Sequence, residues 1–433
     1  MVFFNPPSSL EGEKRRGEGR HSDKGVGGLR SAAMHWDYDV IVVGGGPGGS
    51  TASRFCAQAG LKTLLIEKER LPRYKPCGGC LSLKTVHLLG FDLSAVIENT
   101  IYGAQFTYCL KDPFFIKFKE PIAFMVMRDC FDQFLIERTK EKGTQLLEGE
   151  KVVKVEEKGD GIEIELARGE KLRCEYLIGA DGPESVVARA LALPPMGNNG
   201  NGIAVESEIP FDSAIDFPKD HLQLIHLDFG QIPNGYGWVF PKKKWLSIGI
   251  GGMLKEGEKV NPRQRFNSFV EGLRYLHEGN MGKIMGHPLP AFYNEGQKVS
   301  QGRFLLVGDA AHLMDPLQGE GIYYAIRSGM LAAEAIIQSK KKDVSPSDLY
   351  QTAVQVEIFD NLKWALYFSR FVFRFTKLAY RTLKHYPELC DFYLQVLQGT
   401  ETYQGFVTRV KERMKDLLKG RLRERIRKAM ARA

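Results

Sequence analysis

The sequence predicts an α/β fold. A parallel-sheet nucleotide-binding domain is interrupted by an antiparallel β-sheet domain and followed by a helical C-terminal region. Three observations carry this prediction. A strand-like run, Asp39-Val-Ile-Val-Val43, leads into Gly44-x-Gly46-x-x-Gly49 and a helix of small residues. A second strand, Leu305-Leu-Val307, ends on Gly308-Asp309 about 260 residues later. Between them, residues 151–178 alternate in period two, the pattern of half-buried strands, and residues 200–252 are strand-rich.

The first 35 residues are rich in Gly, Ser, Arg and Lys and lack the apolar core of a secretory signal. They are expected to be a disordered or artefactual tail, with Met34 as an alternative start. The βαβ unit follows over 38–66. Gly44 permits a tight turn, Gly46 lets the backbone approach a diphosphate, and Gly49 lets helix and strand pack closely, the pattern of a Rossmann-type fold. The start of the helix, with Pro47 at its head, offers free N–H groups to the diphosphate. The second strand ends on Glu67, followed by Lys68, at the spacing of roughly 20 residues where a carboxylate holds a ribose hydroxyl. These features suit NAD and FAD equally. Gly308-Asp309 decides for FAD, whose ribityl chain and diphosphate need a second anchor.

The loop Arg70-Leu-Pro-Arg-Tyr74-Lys-Pro-Cys77-Gly78-Gly79-Cys80 comes next, then a helix-like 82–90. Residues 101–126 read as strands leaving the first domain, and Arg128 opens a helix, where a solvated arginine would run against the dipole and a paired, functional role is favoured. The run Tyr176-Leu-Ile-Gly-Ala-Asp181-Gly182 reads as a strand, a turn and a short helix beside the cofactor. The segment Asp315-Pro316-Leu-Gln-Gly319-Glu-Gly321 precedes another small-residue helix. Its glycines would let backbone approach a flat ring, and the helix N-terminus would stabilise negative charge on a reduced flavin by about 0.3–2 kcal/mol. The nucleotide domain is thus expected to be discontinuous (36–100, 128–190 and 301–340). The second domain would comprise 101–127 and 191–300, and residues 341–433 would be helical. A flavin ring at the domain boundary follows from that interleaving. Gly249-Ile-Gly251-Gly252 lacks a βαβ context, so no tightly bound second dinucleotide is expected.

Seven cysteines in 433 residues, without a secretory signal, point to a reducing, cytoplasmic setting. The Cys77-x-x-Cys80 pair has four readings. Zinc lacks a second ligand pair and no metal site is expected. A redox pair, an inert structural pair, and a Cys77 that lines the flavin pocket remain. The alternation Tyr236-x-Trp238-x-Phe240 puts three rings on one strand face, as a core wall or as the wall of an apolar slot. Residues 406–433 hold eleven Lys or Arg against three Asp or Glu, a difference of +8 that equals the net charge of the whole chain. Val410, Met414, Leu417, Leu418, Leu422 and Ile426 stand there at helical spacing. A peripheral contact with a membrane surface and a solvated helix packed on its own domain both fit. No nucleic-acid recognition motif accompanies the charge, so no nucleic-acid partner is expected.

The order Gly44-x-Gly46-x-x-Gly49, Asp181-Gly182 and Gly308-Asp309 resembles the flavoprotein class that includes p-hydroxybenzoate hydroxylase. Two further motifs, Tyr74-Lys-Pro-Cys77-Gly78-Gly79 and Pro233-Asn-Gly-Tyr236-Gly-Trp238-Val-Phe240-Pro241, resemble the geranylgeranyl reductase family. The second fits that family's P-x-x-Y-x-W-x-F-P pattern at every fixed position, whereas Cys80 stands where a Gly is more familiar. The resemblance covers residues 36–340. It implies an FAD-dependent reductase that saturates C=C bonds of geranylgeranyl chains, on ether lipids or on diphosphate and chlorophyll precursors. It implies a polyprenyl lipid or diphosphate substrate and an external electron donor: ferredoxin, NADPH or another reduced carrier. Cys77 and Tyr236 are the expected catalytic residues; Gly78, Gly79, Tyr236, Trp238 and Phe240 the expected substrate wall. Cys77, Gly78, Arg128, Asp181, Pro316, Gly319 and Gly321 join the glycine loops as expected cofactor contacts. The competing expectation is a flavin-dependent monooxygenase acting on an apolar substrate, since the cofactor anchors are shared. Halogenation is disfavoured, because a W-x-W-x-I-P segment is absent at 236–241.

Overall fold

The computed structural model describes residues 36–191, 201–211, 217–254, 260–276 and 282–430, without the side chains of 201, 417, 418 and 420–430. The expected tail over 1–35 therefore lies outside the described residues. The chain begins with β1 (Tyr38–Val43), α1 (Pro47–Gln58) and β2 (Thr63–Glu67). Next come β3 (Cys80–Ser82), α2 (Leu83–Leu89), β4 (Ile97–Ile101), β5 (Gly103–Tyr108), β6 (Lys111–Lys117) and β7 (Ala123–Val126). They are followed by α3 (Arg128–Lys140), β8 (Gln145–Glu148), β9 (Val152–Lys158), β10 (Gly161–Leu166), β11 (Lys171–Gly179) and α4 (Val186–Ala190). The middle of the chain gives β12 (Asn201–Pro210), β13 (Leu224–Phe229), β14 (Gly235–Pro241), β15 (Trp245–Met253), α5 (Pro262–Glu271) and β16 (Met285–Pro290). After β17 (Ser300–Gln301) and β18 (Phe304–Leu306) the rest is helical. These helices are α6 (Ile322–Lys342), α7 (Pro346–Val354), α8 (Asp360–Arg374), α9 (Thr376–His385), α10 (Glu388–Gln398) and α11 (Tyr403–Met430).

Two large sheets organise these elements. The first runs β17-β18-β11-β1-β2-β8, with β10 and β9 attached to β11. Its central pairs β18–β11, β11–β1, β1–β2 and β2–β8 are parallel. Val40, Ile41 and Val42 are fully buried on β1, as a strand covered on both faces requires. The second sheet runs β16-β12-β15-β14-β13-β5-β6 and is antiparallel except at β13–β5. Its strands β12, β14 and β15 turn Val205, Val239, Ile248 and Ile250 onto Phe266 and Phe269 of α5. The opposite face of β14 carries Tyr236, Trp238 and Phe240.

Two expected boundaries shift. β5 and β6 join the second sheet as expected, but β7 pairs with β3 and β4 in a separate three-stranded sheet on the nucleotide side. The helical region does not begin as a separate layer at 341. α7 buries Tyr350 completely, and its hydroxyl donates to the Leu306 carbonyl at 2.6 Å, so α7 completes the nucleotide core. The basic tail is helical from Tyr403, and Tyr403, Phe406 and Val407 pack against Ala365 and Val396. The first turns of that helix thus spend their apolar face on their own fold. Leu417, Leu418, Leu422 and Ile426 lie outside the described side chains.

α1 and α6 cross with almost nothing between them. A Cβ on Gly48 would lie 3.0 Å from the Ala325 carbonyl oxygen, and one on Gly329 would lie 2.4 Å from the Gly48 carbonyl oxygen. Both obstacles are backbone, so neither can swing aside. Gly329→Ala sets a helix-propensity gain of about 1 kcal/mol against an overpacking cost of about 1–3 kcal/mol. The cost should win because α1 also carries the dinucleotide loop. Urea unfolding should show G329A to be less stable than the parent and quicker to lose FAD. A gain of about 1 kcal/mol would mean that the crossing is looser than described.

Candidate functional site

The glycines between β1 and α1 divide their work. Gly44 has φ +106° and a Cβ there would lie 2.2 Å from the Ala180 carbonyl oxygen; one on Gly49 would lie 1.9 Å from the Gly44 carbonyl oxygen. Those two seal the turn. A Cβ on Gly46 would meet nothing within 4 Å, and Gly46 and Pro47 line a cavity of about 1080 Å³. The open face of Gly46 at the head of a twelve-residue helix fits a diphosphate, and the chain therefore suits a dinucleotide here. The volume matters too. It slightly exceeds the usual pocket range of about 300–1,000 Å³, as expected for a space that takes a dinucleotide and a second ligand.

The expected cofactor residues do not all behave alike. Glu67, at the end of β2, accepts a hydrogen bond from Gly45 N at 2.8 Å and stands 3.7 Å from Arg73, so its carboxylate braces the loop. Lys68 is exposed and is not part of the cavity wall. Arg128 is in the wall, but its guanidinium is clasped by Asp132 through bonds of 2.9 and 2.8 Å and also meets the Cys77 thiol. Asp181 points its carboxylate at the start of α4, accepting from Ser185 Oγ at 2.5 Å and Val186 N at 2.7 Å. Its neighbours Ala180 and Gly182 supply the wall instead. Gly308 and Asp309 both line the cavity, and Asp309 stands 3.6 Å from Lys75, a residue the motif reading had not singled out.

Pro316, Gly319 and Gly321 form one side of the cavity, and four elements hold their segment in place. Asp315 is fully buried: Oδ1 accepts from Leu317 N at 2.7 Å and Gln318 N at 3.1 Å, and Oδ2 from the Tyr403 hydroxyl of α11 at 2.6 Å. Burial pushes this carboxyl up from its ordinary range. Tyr393 of α10 donates to Gln318 Oε1 at 2.6 Å, and the Tyr236 hydroxyl of β14 donates to the Gln318 carbonyl. Glu320 accepts from Lys84 of α2 at 2.6 Å and from Ser82 Oγ at 2.5 Å. The Tyr236 hydroxyl is therefore tied to the segment, and burial raises its phenol further.

The aromatic wall is where period two predicts it. Tyr236 and Trp238 have ring centroids 6.4 Å apart, Trp238 and Phe240 6.2 Å, and all three line the cavity. The glycines of β15 make room for them, since a Cβ on Gly249 would lie 2.2 Å from the Trp238 ring. That is the physical role of a glycine run that had no nucleotide context. Gly78 lies against Phe240, where a Cβ would approach within 2.7 Å, and Gly79 completes the turn below Val126. Cys77 and Cys80 are free thiols in the same wall; burial pushes the Cys80 thiol up to about 12, which keeps it neutral.

A residue that sequence reasoning missed stands behind Cys77. Glu206 of β12 is 1% exposed, and its Oε1 accepts from Cys77 N at 2.7 Å and from the Tyr74 hydroxyl at 2.9 Å. Its Oε2 is buried without a hydrogen-bond partner among the described residues. Burial first, and the charge of Glu208 second, raise its carboxyl to about 7. The signal was Glu206-Ser-Glu208 in an otherwise apolar strand, with both carboxylates on one face. Glu208 is neutralised by Lys242 at 2.6 Å, which leaves Glu206 as the carboxyl facing the cavity.

The FAD binding domain family matches residues 37–352. The geranylgeranyl diphosphate reductase of Synechocystis is 32% identical over 326 residues, spanning 69% of this chain and 75% of that protein. The digeranylgeranylglycerophospholipid reductase 1 of Methanopyrus kandleri is 30% identical over 358 residues, 76% of this chain and 89% of its own. A solved geranylgeranyl bacteriochlorophyll reductase-like structure from Thermoplasma acidophilum superposes with a TM-score of 0.73 at 24% identity, covering 87% and 98% of the two chains. A flavin-dependent brominase shares the fold at 20% identity and a TM-score of 0.66, covering 88% and 99%, so the fold alone does not choose the reaction. With FAD as its cofactor, this chain belongs to the geranylgeranyl reductase family of FAD-binding oxidoreductases.

Proposed function

We propose that the protein saturates isolated C=C bonds of a polyprenyl chain, carried on a lipid or a diphosphate. The observation that carries this reading is the continuity of one cavity. It runs from Gly46 past the segment 316–321 to the wall of Tyr236, Trp238 and Phe240 and on to Phe106, Leu227 and Phe229. Bound and reduced, FAD supplies hydride there, recharged by ferredoxin, NADPH or another carrier. The chain's own residues do the rest. Gly46 and the head of α1 take the diphosphate, Asp309 accepts from ribityl hydroxyls, and the aromatic wall keeps water away from the alkene. An unconjugated trisubstituted alkene accepts hydride poorly, so a proton must reach the less substituted carbon first or at the same time. The Cys77 thiol lines the cavity and Glu206 holds a proton directly behind its backbone. Tyr236 serves as a positioning residue, because its hydroxyl is engaged by Gln318.

Chemically reduced protein, incubated under strict anaerobiosis with a geranylgeranyl lipid, should add hydrogen pairs to the chain as read by mass spectrometry. A lipid unchanged without air, and oxygenated once air is admitted, would make the protein a monooxygenase.

Glu206 gives a second test. The unfolded chain releases this proton from about pH 4.5 upward, whereas the folded chain holds it to about 7. Raising pH through that window therefore lowers stability, at about 1.4 kcal/mol per unit of difference between the two states. Glu206→Gln should flatten this part of the stability–pH curve and remove an infrared carboxylic-acid band that bleaches near pH 7. It should also slow saturation at neutral pH by about 10²–10⁴-fold, the usual worth of a placed acid. Unchanged turnover would remove Glu206 from the proton path.

A further inference from the structure

The segment 361–387 carries six cations, Lys363, Arg370, Arg374, Lys377, Arg381 and Lys384, and no Asp or Glu. It forms α8 and α9, which meet at Phe375. Lys363 pairs with Asp360, and Lys384 with Asp112. Arg370, Arg374, Lys377 and Arg381 are exposed and form no ion pair or hydrogen bond among the described residues.

The same two helices expose four large apolar side chains: Tyr367 at 51%, Phe371 at 57%, Phe375 at 48% and Leu378 at 59%. Tyr367 and Phe371, four apart on α8, share one face, and Phe375 and Leu378 follow across the break between the helices. All four also line the cavity. They are therefore its lip: each reaches the interior space and solvent at once. Exposed rings set among unpaired cations and bordering an opening mark a surface that meets something apolar and negatively charged.

We propose that α8 and α9 dock the protein on an anionic lipid bilayer, so that the cavity opens into the acyl layer. The proposal rests on the polyprenyl reading for its purpose, since a long apolar chain is dissolved in the bilayer and not in water. Charge complementarity identifies the partner. A second copy of the chain would bring two sets of unpaired cations together, and like charges oppose that contact. An anionic surface instead attracts each Lys or Arg that approaches within a Debye length, worth roughly fivefold in partition apiece. Rings such as Phe371 and Phe375 sit at the headgroup–acyl boundary in the manner of an interfacial helix. The first apolar residues of the basic C-terminal helix are packed against Ala365 and Val396, whereas the rings of α8 and α9 stay exposed.

The test uses the full chain with FAD bound and flotation with vesicles of phosphatidylcholine, alone or mixed with phosphatidylglycerol. The protein should bind the mixed vesicles, bind the neutral ones weakly, and dissociate as salt is raised. R370Q/R374Q/K377Q/R381Q should lower partition onto mixed vesicles by roughly 600-fold, and F371E/F375E should abolish it. Retained FAD absorbance and circular dichroism show that both variants are folded. The four-charge variant should reduce a detergent-dispersed geranylgeranyl lipid at the parent rate and the same lipid in mixed vesicles far more slowly. Wild-type binding to neither vesicle, or variants that bind as the parent does, would overturn the proposal; an acidic protein partner would produce the first of these outcomes. Vesicle binding without any saturation would leave the docking surface intact and remove the polyprenyl reading alone.

Discussion

The clasp around Asp315–Gly321 is the constraint on which the rest of the structure depends. On the proposed reading this segment presents bare backbone to a flat cofactor, yet bare backbone is poorly held by side-chain packing. The chain solves this with hydrogen bonds from a distance: Tyr236 from β14, Tyr393 from α10, Tyr403 from α11 and Lys84 from α2 all converge on it. Asp315 is the keystone, with no exposure and four bonds to its carboxylate. Leaving such a group unpaired costs about 1–3 kcal/mol, more if charged. The C-terminal helices thus belong to the active cavity, although they lie beyond the matched nucleotide-binding segment.

One continuous cavity has to satisfy opposite solvents. At the dinucleotide loop it offers N–H groups and the carboxylate of Asp309; beyond Tyr236 the wall turns to Phe, Leu, Ile and Trp. A polar cofactor end and an apolar chain can share this space only if their reactive parts meet at the change of character. That change falls between Gly319 and Tyr236, where a Cβ on Gly319 would lie 3.3 Å from the Tyr236 hydroxyl. Cys77 and Glu206 stand on the facing loop and strand. On the proposed reading, charge is thereby kept near the reacting carbon and away from the slot for the rest of the prenyl chain.

The legible features were those encoded by local conformation. Gly44 and Gly49 announce a turn that no other residue closes, Gly46 an open approach beside it, and Tyr236, Trp238 and Phe240 a face through period two. Glu206 was not legible, because its burial depends on a loop that is 129 residues away in sequence and donates Cys77 N to it. Arg128 and Asp181 carry a feature that motif reading passed over: each side chain is held by a neighbour four residues on, Asp132 and Ser185, a pairing that the sequence itself carried. The allegiance of β7 and α7 was hidden for another reason: short elements are assigned by what covers them, and their covers, β3, β4 and the nucleotide core, come from elsewhere in the chain.

On the proposed reading, cofactor and prenyl chain share this one cavity. Structure determination of the FAD-loaded protein with a geranylgeranyl chain bound tests it most directly. The flavin ring should lie against residues 316–321 and the chain along Tyr236, Trp238 and Phe240, emerging between Phe371 and Phe375. A chain bound outside that wall, or a flavin ring away from 316–321, would contradict it.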